Sequence, residues 1–377
     1  MLIYIERPND TLWGIARRYG STVEYLAYIN QLADPNKLVP GMTIIIPLQN
    51  PPPRTDMELN AYVYPNVSSA ALDAALPALT WLSPFSYSFY VSGNISPINV
   101  SRLVSAARNA GAAPLMVLTN IGESGGFSSE LGHTVLTRQE PQDELMRNII
   151  QTLGQNRFRG VNVDFEYLYP FDRDSYSQFI ARLVSELHPL GYYVFVALAP
   201  KVSRDQQGLL YSAHDYEAIG RSADRVILMT YEWGYTYGAP QAVSPVNRIR
   251  QVLDYAVTAI PPGKILMGFS NYAYNWTLPW TQGTAAAAIS NSAAVSLAVS
   301  TGSRIKFDEA AQAPYFNYTD TSGKRHVVWF EDARSIDSRL RLAREYGLAG
   351  ISVWTADRLY RPLWELIQAM FSAEKSG

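Results

Sequence analysis

Gly160-Val161-Asn162-Val163-Asp164-Phe165-Glu166-Tyr167 alternates apolar and polar side chains with a period of two. On an extended strand that alternation puts Asn162, Asp164 and Glu166 on one face and Val161, Val163 and Phe165 on the other. Two carboxylates and an amide pointing into a protein interior cost free energy unless they are paired or put to use. A solvated or ion-paired strand end is the plainer explanation, but an outer face of Val, Val and Phe makes the polar row the inner one. The segment is therefore the first candidate for a reactive site.

Outward from this stretch, apolar runs of strand length alternate with amphipathic segments over residues 58–377. Strands are expected near 59–64, 81–90, 115–121, 159–166, 192–199, 225–231, 264–272 and 349–354. Helices are expected near 68–76, 98–110, 141–153, 173–187, 214–221, 245–258, 333–346 and 362–371. Strands each followed by a helix define an α/β fold of the (β/α)8 TIM barrel type, with an open doubly wound sheet as the structural rival. Continuous apolar strands such as VFVALA suit either. In a barrel the strand ends form the reactive face, where Asp164 and Glu166 would stand. About 60 residues separate the seventh strand from the helix near 333, too many for a structureless loop. An alanine-rich helix over 284–298 and short strands in RIKFDE, PYFNYTD and HVVWFED are expected there. Together they predict a small α+β insertion over about 277–331, rising from the loop face of the barrel.

Residues 1–48 have a different pattern. Residues 2–5 and 43–47 have strand composition, and between them Leu12, Ile15, Ala16 and Tyr19 follow helical spacing, with Asp10 or Thr11 as the cap and Gly20 as the stop. Thr22 opens a second helix through Val23, Leu26 and Ala27. The result is a small βααβ unit, set off by a stiff proline-rich connector at 49–57. Composition narrows the function classes. With 31 basic against 33 acidic residues and a net charge of -2, there is no basic footprint for nucleic acid. No apolar run is long enough to span a membrane, and MLIYIERPNDTLW lacks the regions of a secretory signal. There are no cysteines, and His133, His188, His214 and His326 form no close pair, so neither a metal site nor a cofactor is expected. The 25 Tyr, 13 Phe and 8 Trp offer flat faces suited to sugar rings and equally suited to packing a core.

The stretch Asn9-Asp10-Thr11-Leu12-Trp13-Gly14-Ile15-Ala16-Arg17-Arg18-Tyr19-Gly20, with Leu38-Val39-Pro40-Gly41-Met42 and Ile44-Ile45-Ile46-Pro47, resembles a LysM module; Asn9 stands where a Gly is usual. The resemblance implies binding of N-acetylglucosamine-containing glycans in a groove bordered by Asp10, Thr11, Leu12, Pro35, Leu38 and Pro40. Helix capping alone also explains Asp10 and Thr11. The 160–167 stretch resembles the signature strand of glycoside hydrolase family 18, DxxDxDxE. Arg159 and Asn162 replace its first two acids, and Asp164 and Glu166 retain the last two. Met229-Thr230-Tyr231-Glu232-Trp233-Gly234, Gly268 with Tyr272, Tyr274 and Trp276, and Trp354 are similar to that family's sixth, seventh and eighth strands.

What the resemblance implies is a retaining glycosidase in which the 2-acetamido oxygen of the substrate is the nucleophile. Glu166 would be the acid and base, Asp164 the residue that orients the acetamido group, and Tyr231 the donor to its oxygen. Asn162, Met229, Glu232, Trp233, Tyr272, Trp354 and Asn120 would border the sugar. An amide at 162 cannot take up charge, so Asp164 is expected to stay more ionised than with an acid there. The module order, MTYEWGY, PYFNYTD and VVWFED resemble the spore-germination family of cortex-lytic N-acetylglucosaminidases. That likeness implies a peptidoglycan substrate from spore cortex and a spore-associated location in coat or cortex. The alternatives are a chitinase-like hydrolase acting on chitin oligomers and a non-catalytic glycan-binding coat protein. A third rival, a serine hydrolase, rests on Gly122-Glu123-Ser124-Gly125-Gly126, which matches GxSxG but lacks helical periodicity directly after it.

Overall fold

The computed structural model describes residues 1–373. The last four positions of the expected barrel unit, 374–377, lie outside the described residues. Eight parallel strands close on themselves: β1 Thr55–Val63, β2 Trp81–Pro84, β3 Ala113–Thr119, β4 Gly160–Asp164, β5 Tyr193–Leu198, β6 Arg225–Leu228, β7 Ile265–Ser270 and β8 Gly350–Trp354. Closure is made by β8, which pairs with β7 (Ser270 opposite Trp354) and with β1 (Gly350 opposite Glu58). This is the (β/α)8 barrel, and the open-sheet alternative falls with that last pairing. A further strand, Phe371–Ala373, lies parallel to the start of β1. β1 itself begins at Thr55, inside the stretch expected as connector.

The alternation on β4 does what its chemistry dictates. Val161, Val163 and Phe165 are fully buried against the surrounding helices, and Phe165 stacks at 5.8 Å on both Tyr176 and Phe179 of helix Arg173–Leu187. Asn162 points the other way, donating through Nδ2 to the Tyr62 hydroxyl of β1 across the barrel interior at 2.7 Å. Gly160 opens the strand because a Cβ there would stand 2.3 Å from the Tyr193 carbonyl oxygen. On β1 the same period of two sends Glu58, Asn60 and Tyr62 inward, one above another. Asn60 binds Ser352 and Ser83, both at 2.8 Å, so the interior carries polar layers between apolar ones.

Two expectations are corrected. Helix Ser129–Thr137 was not read from the sequence, because Gly132 and the β-branched Thr134 and Val135 weaken its pattern; the Ser128 side chain caps it at the Leu131 N–H. The alanine-rich stretch is not one helix: Ala287–Ile289 is a strand, and the helix begins only at Asn291 after the Ser290 cap. That strand edges a five-stranded antiparallel sheet ordered 287–289, 273–278, 325–329, 313–319, 306–308. The sheet's second strand, Ala273–Leu278, follows β7 almost directly, so the insertion is anchored to the barrel mouth.

At the N-terminus, strands Leu2–Ile5 and Thr43–Ile46 pair antiparallel around helices Leu12–Arg18 and Val23–Ile29. Asn30 locks the unit, donating to Leu26 O and Ile45 O and accepting from Ile45 N–H. The unit is not a bead on a string. Its core runs into the barrel's, Val39 and Met42 pack into the core of the insertion, and the Gln31 side chain bridges Leu359 O and Arg361 N. Among the described residues no helix is long and apolar enough to cross a membrane.

Candidate active site

The strand ends bring together residues far apart in sequence. Asp164, the last residue of β4, is 4 % exposed and its Oδ1 has no hydrogen-bond partner. Burial pushes its carboxyl up to about 7. The Asn162 amide is spent on Tyr62, and its Oδ1 is left unpartnered. Glu166, two residues on, is held through its backbone: Asn120 Oδ1 accepts its N–H and Asn120 Nδ2 donates to its carbonyl, both at 2.9 Å. Asn120, expected beside the sugar, is fully buried and positions Glu166. The Glu166 carboxyl stands well above the usual range, chiefly through burial and then through the charges of Asp164 and Glu232.

Glu232 follows β6 in the left-handed conformation, with φ of 67°. It accepts from the Tyr272 hydroxyl and, at 3.2 and 3.4 Å, from Tyr274. Burial raises its carboxyl, and the two phenols partly offset that. Tyr231 is half-buried among the same groups; desolvation first, then Tyr62, Asp164, Glu166 and Glu232, raise its hydroxyl well above the ordinary value and keep it protonated. Trp354 ends β8 in an aromatic box, edge-on to Phe85, Tyr62 and Tyr64 at 4.8, 5.2 and 6.2 Å. Met229 is half-buried against the same interior cluster as Trp354, and Trp233 is half-buried with its backbone N–H donating to Val243 O. Tyr62 is not singled out by the sequence reading, although the inward row Glu58, Asn60, Tyr62 carries the same alternation as 162, 164, 166.

Elsewhere the expected residues have other employment. In the N-terminal unit Leu12 is core, Thr11 caps the Gly14 N–H, and the Asp10 carboxylate clamps Tyr4 OH and Arg7 N–H at 2.7 and 2.9 Å. Leu38 packs against both core clusters, Pro35 is half-exposed, and the Pro40 carbonyl accepts from Ile305 N–H at 2.9 Å. Ser124 sits in an exposed turn, and each histidine is engaged away from it: His133 with Asp172, His188 with Asp224, His326 with Asp320, and His214 with Ala199 N–H and Phe165 O. Among the described residues no histidine hydrogen-bonds Ser124, so the serine-hydrolase reading lacks its nucleophile–base contact.

A closed parallel barrel carrying a buried, mutually repelling carboxyl pair at its mouth, beside a protonated tyrosine and a tryptophan floor, defines a barrel glycosidase. The chain belongs to glycosyl hydrolases family 18, which its residues 57–358 match, and residues 7–47 match the LysM domain. It is 40 % identical over 429 aligned positions to the cortical fragment-lytic enzyme of Bacillus subtilis, covering 100 % of this chain and 99 % of the relative. The crystal structure of the Bacillus megaterium spore cortex-lytic enzyme SleL superposes with a TM-score of 0.83 at 37 % identity, covering 100 % of this chain and 87 % of that one. A chitinase from Chromobacterium violaceum gives a TM-score of 0.76 at 25 % identity, over 83 % of this chain and 98 % of its own.

Proposed function

We propose that the enzyme cleaves N-acetylglucosaminyl linkages in peptidoglycan fragments of the spore cortex, with retention and with the substrate's own acetamido group as nucleophile. The observation that carries this is the pairing of Glu166 with Asp164 on one inward face, with no cation among the described residues beside either to hold it ionised. Glu166, kept protonated, gives its proton to the glycosidic oxygen as the bond from that oxygen to the anomeric carbon breaks. The acetamido oxygen forms the new bond to that carbon, giving an oxazolinium ion. Asp164 accepts the acetamido N–H and stabilises the positive charge. Tyr231 donates to the acetamido oxygen and holds it in line, and Trp354 supports the methyl group. Water then attacks the anomeric carbon as the bond from that carbon to the acetamido oxygen breaks and the acetamide is regenerated, while Glu166, now ionised, takes the water's proton, which restores the starting state.

Asn162 and Met229 shape the floor of this site, and Glu232 with Tyr272 and Trp233 its wall. The likeness to two enzymes named for cortex lysis supports cortex peptidoglycan as the substrate of this chain. The LysM unit, residues 1–48, and the barrel, whose first strand starts at Thr55, would then work on one spore-associated polymer as binding unit and catalytic unit. Mass analysis of the products from cortex fragments and from chitin oligomers tests it, wild type beside Glu166→Gln. Wild type should release N-acetylglucosamine-ended products from cortex fragments, and the variant should be slower by about 10³-fold, the range for loss of a general acid. Cutting of chitin oligomers alone would move the assignment to a chitinase, and an active Glu166→Gln would end it.

A further inference from the structure

The ladder between β4 and β5 is interrupted beside the acid. Tyr193 N–H donates to Arg159 O at 3.1 Å, and from there the two strands stay in step up to Val163 opposite Val196. Continued in steps of two residues, that register would put the Ala199 N–H on the Phe165 carbonyl. The imidazole of His214 stands in that place instead. Its Nδ1 accepts from Ala199 N–H at 2.9 Å, and its Nε2 lies 3.0 Å from Phe165 O.

One proton arrangement satisfies both contacts. A backbone N–H can only donate, so Nδ1 carries the lone pair and Nε2 the hydrogen, which it gives to the Phe165 carbonyl. Desolvation lowers the protonation of the buried ring to about 4; the Phe165 carbonyl opposes that shift and the Lys201 charge adds to it. The neutral form with these two bonds is therefore the one present near pH 7. Lys201, itself buried, fixes the ring's backbone by donating through Nζ to the His214 and Arg204 carbonyls, both at 3.0 Å. A buried histidine that served two core amides would be unremarkable but for the peptide it holds. Phe165 is the single residue between Asp164 and Glu166, and its side chain is already stacked on Tyr176 and Phe179. With Asn120 binding the N–H and carbonyl of Glu166, the segment that carries the acid is held from both neighbouring strands.

We propose that His214 is a positioning residue for Glu166: its ring, wedged between the ends of β4 and β5, replaces a ladder rung and sets the direction in which the acid leaves the strand. A direct rung from Ala199 to Phe165 would draw the two chains together and carry Glu166 with them, whereas the wedge holds them an imidazole apart. The inference rests on the reading of Glu166 as proton donor and deepens it by naming what keeps that donor in line with the glycosidic oxygen. A displacement of about 1 Å at such a group can cost on the order of 10²-fold in rate.

Two substitutions separate positioning from the filling of space. His214→Gln keeps an acceptor for Ala199 and a donor long enough to reach Phe165 O, whereas His214→Asn keeps the first and falls short of the second. On cortex fragments His214→Asn should lower kcat by about 10- to 10²-fold with KM near the wild-type value, and His214→Gln should recover to within about three-fold of wild type. A second readout is independent of how much protein is active: the loss on cortex fragments compared with the loss on a dinitrophenyl β-N-acetylglucosaminide, whose leaving group departs without a proton. In His214→Asn the fragments should lose at least about five-fold more than the dinitrophenyl substrate. Equal rates in the two variants, or an equal loss on the two substrates, overturns the inference. Its failure is separable from that of the cleavage reading: an active Glu166→Gln ends the latter, while a slow Glu166→Gln beside indistinguishable His214 variants ends only the positioning role.

Discussion

At the closed end of the barrel, Glu58 of β1 is buried and fully answered. Arg225 Nε donates to both of its oxygens at 2.9 and 3.0 Å, Arg225 Nη2 adds a further bond, and Trp81 Nε1 donates at 2.9 Å. At the open end, Asp164 and Glu166 face the same interior with no cation beside them among the described residues, and burial drives both upward. One fold thus treats two sets of carboxyls in opposite ways. A compensated charge at the base contributes to architecture, and removing its partner leaves a costly orphan. An uncompensated pair at the mouth costs stability and gains reactivity, because one member stays protonated at a pH where a free carboxyl would not.

The contrast breaks first at its extremes. Glu58→Gln leaves Arg225 without its anion and should lower stability by about 3 kcal/mol, with kcat changed little. Glu166→Gln should do the reverse, with turnover falling about 10³-fold and chemical denaturation showing no loss of stability. If both variants lose stability alike and keep activity alike, the two ends do not differ in kind.

Asp164→Asn sharpens the comparison through pH. The ordinary carboxyl value is 3.8, and in the folded chain Asp164 is raised to about 7. Between those values the folded state holds a proton that the unfolded state has released, so this group's contribution to stability falls as pH rises and stays reduced above 7. The asparagine variant should therefore be more stable than wild type at pH 8, by on the order of 2 kcal/mol, and equal to it near pH 4. Denaturation curves at both pH values decide it; a variant less stable at pH 8 would mean that the Asp164 carboxylate is compensated after all.

The smallest effect concerns Glu232. Activity needs Glu166 protonated and Asp164 ionised, so it should rise with pH as Asp164 loses its proton and fall as Glu166 loses its own at higher pH. The Glu232 charge adds to the elevation of Glu166. Glu232→Gln removes it, so the alkaline limb of kcat/KM should move to lower pH by less than about one unit while the acid limb stays. An alkaline limb that stays put would remove Glu232 from the electrostatics of the acid.

Much of the barrel was legible because parallel strands buried on both faces are continuous apolar runs, and each of the eight expected positions holds a strand. Asp164 and Glu166 were legible for the opposite reason: polar residues interrupt one such strand at a period of two. Helix Ser129–Thr137 was not, since its own propensities are poor and its stability comes from burying Leu131, Val135 and Leu136 against the barrel. The Asn120 contacts to Glu166 join residues 46 positions apart, and no local pattern encodes them. The docking of Pro40 and Gly41 on Ile305 is likewise a tertiary fact, hidden behind a proline-rich connector that looks like a free tether.

Proton NMR of the sugar anomer first formed from a β-linked N-acetylglucosaminyl oligomer reaches the centre of the account. With Glu166 as the only proton carrier and the acetamido oxygen as nucleophile, the β anomer must appear first and mutarotate later. An α anomer at the earliest time points would mean that water attacks directly and that the carboxyl pair does not work as described.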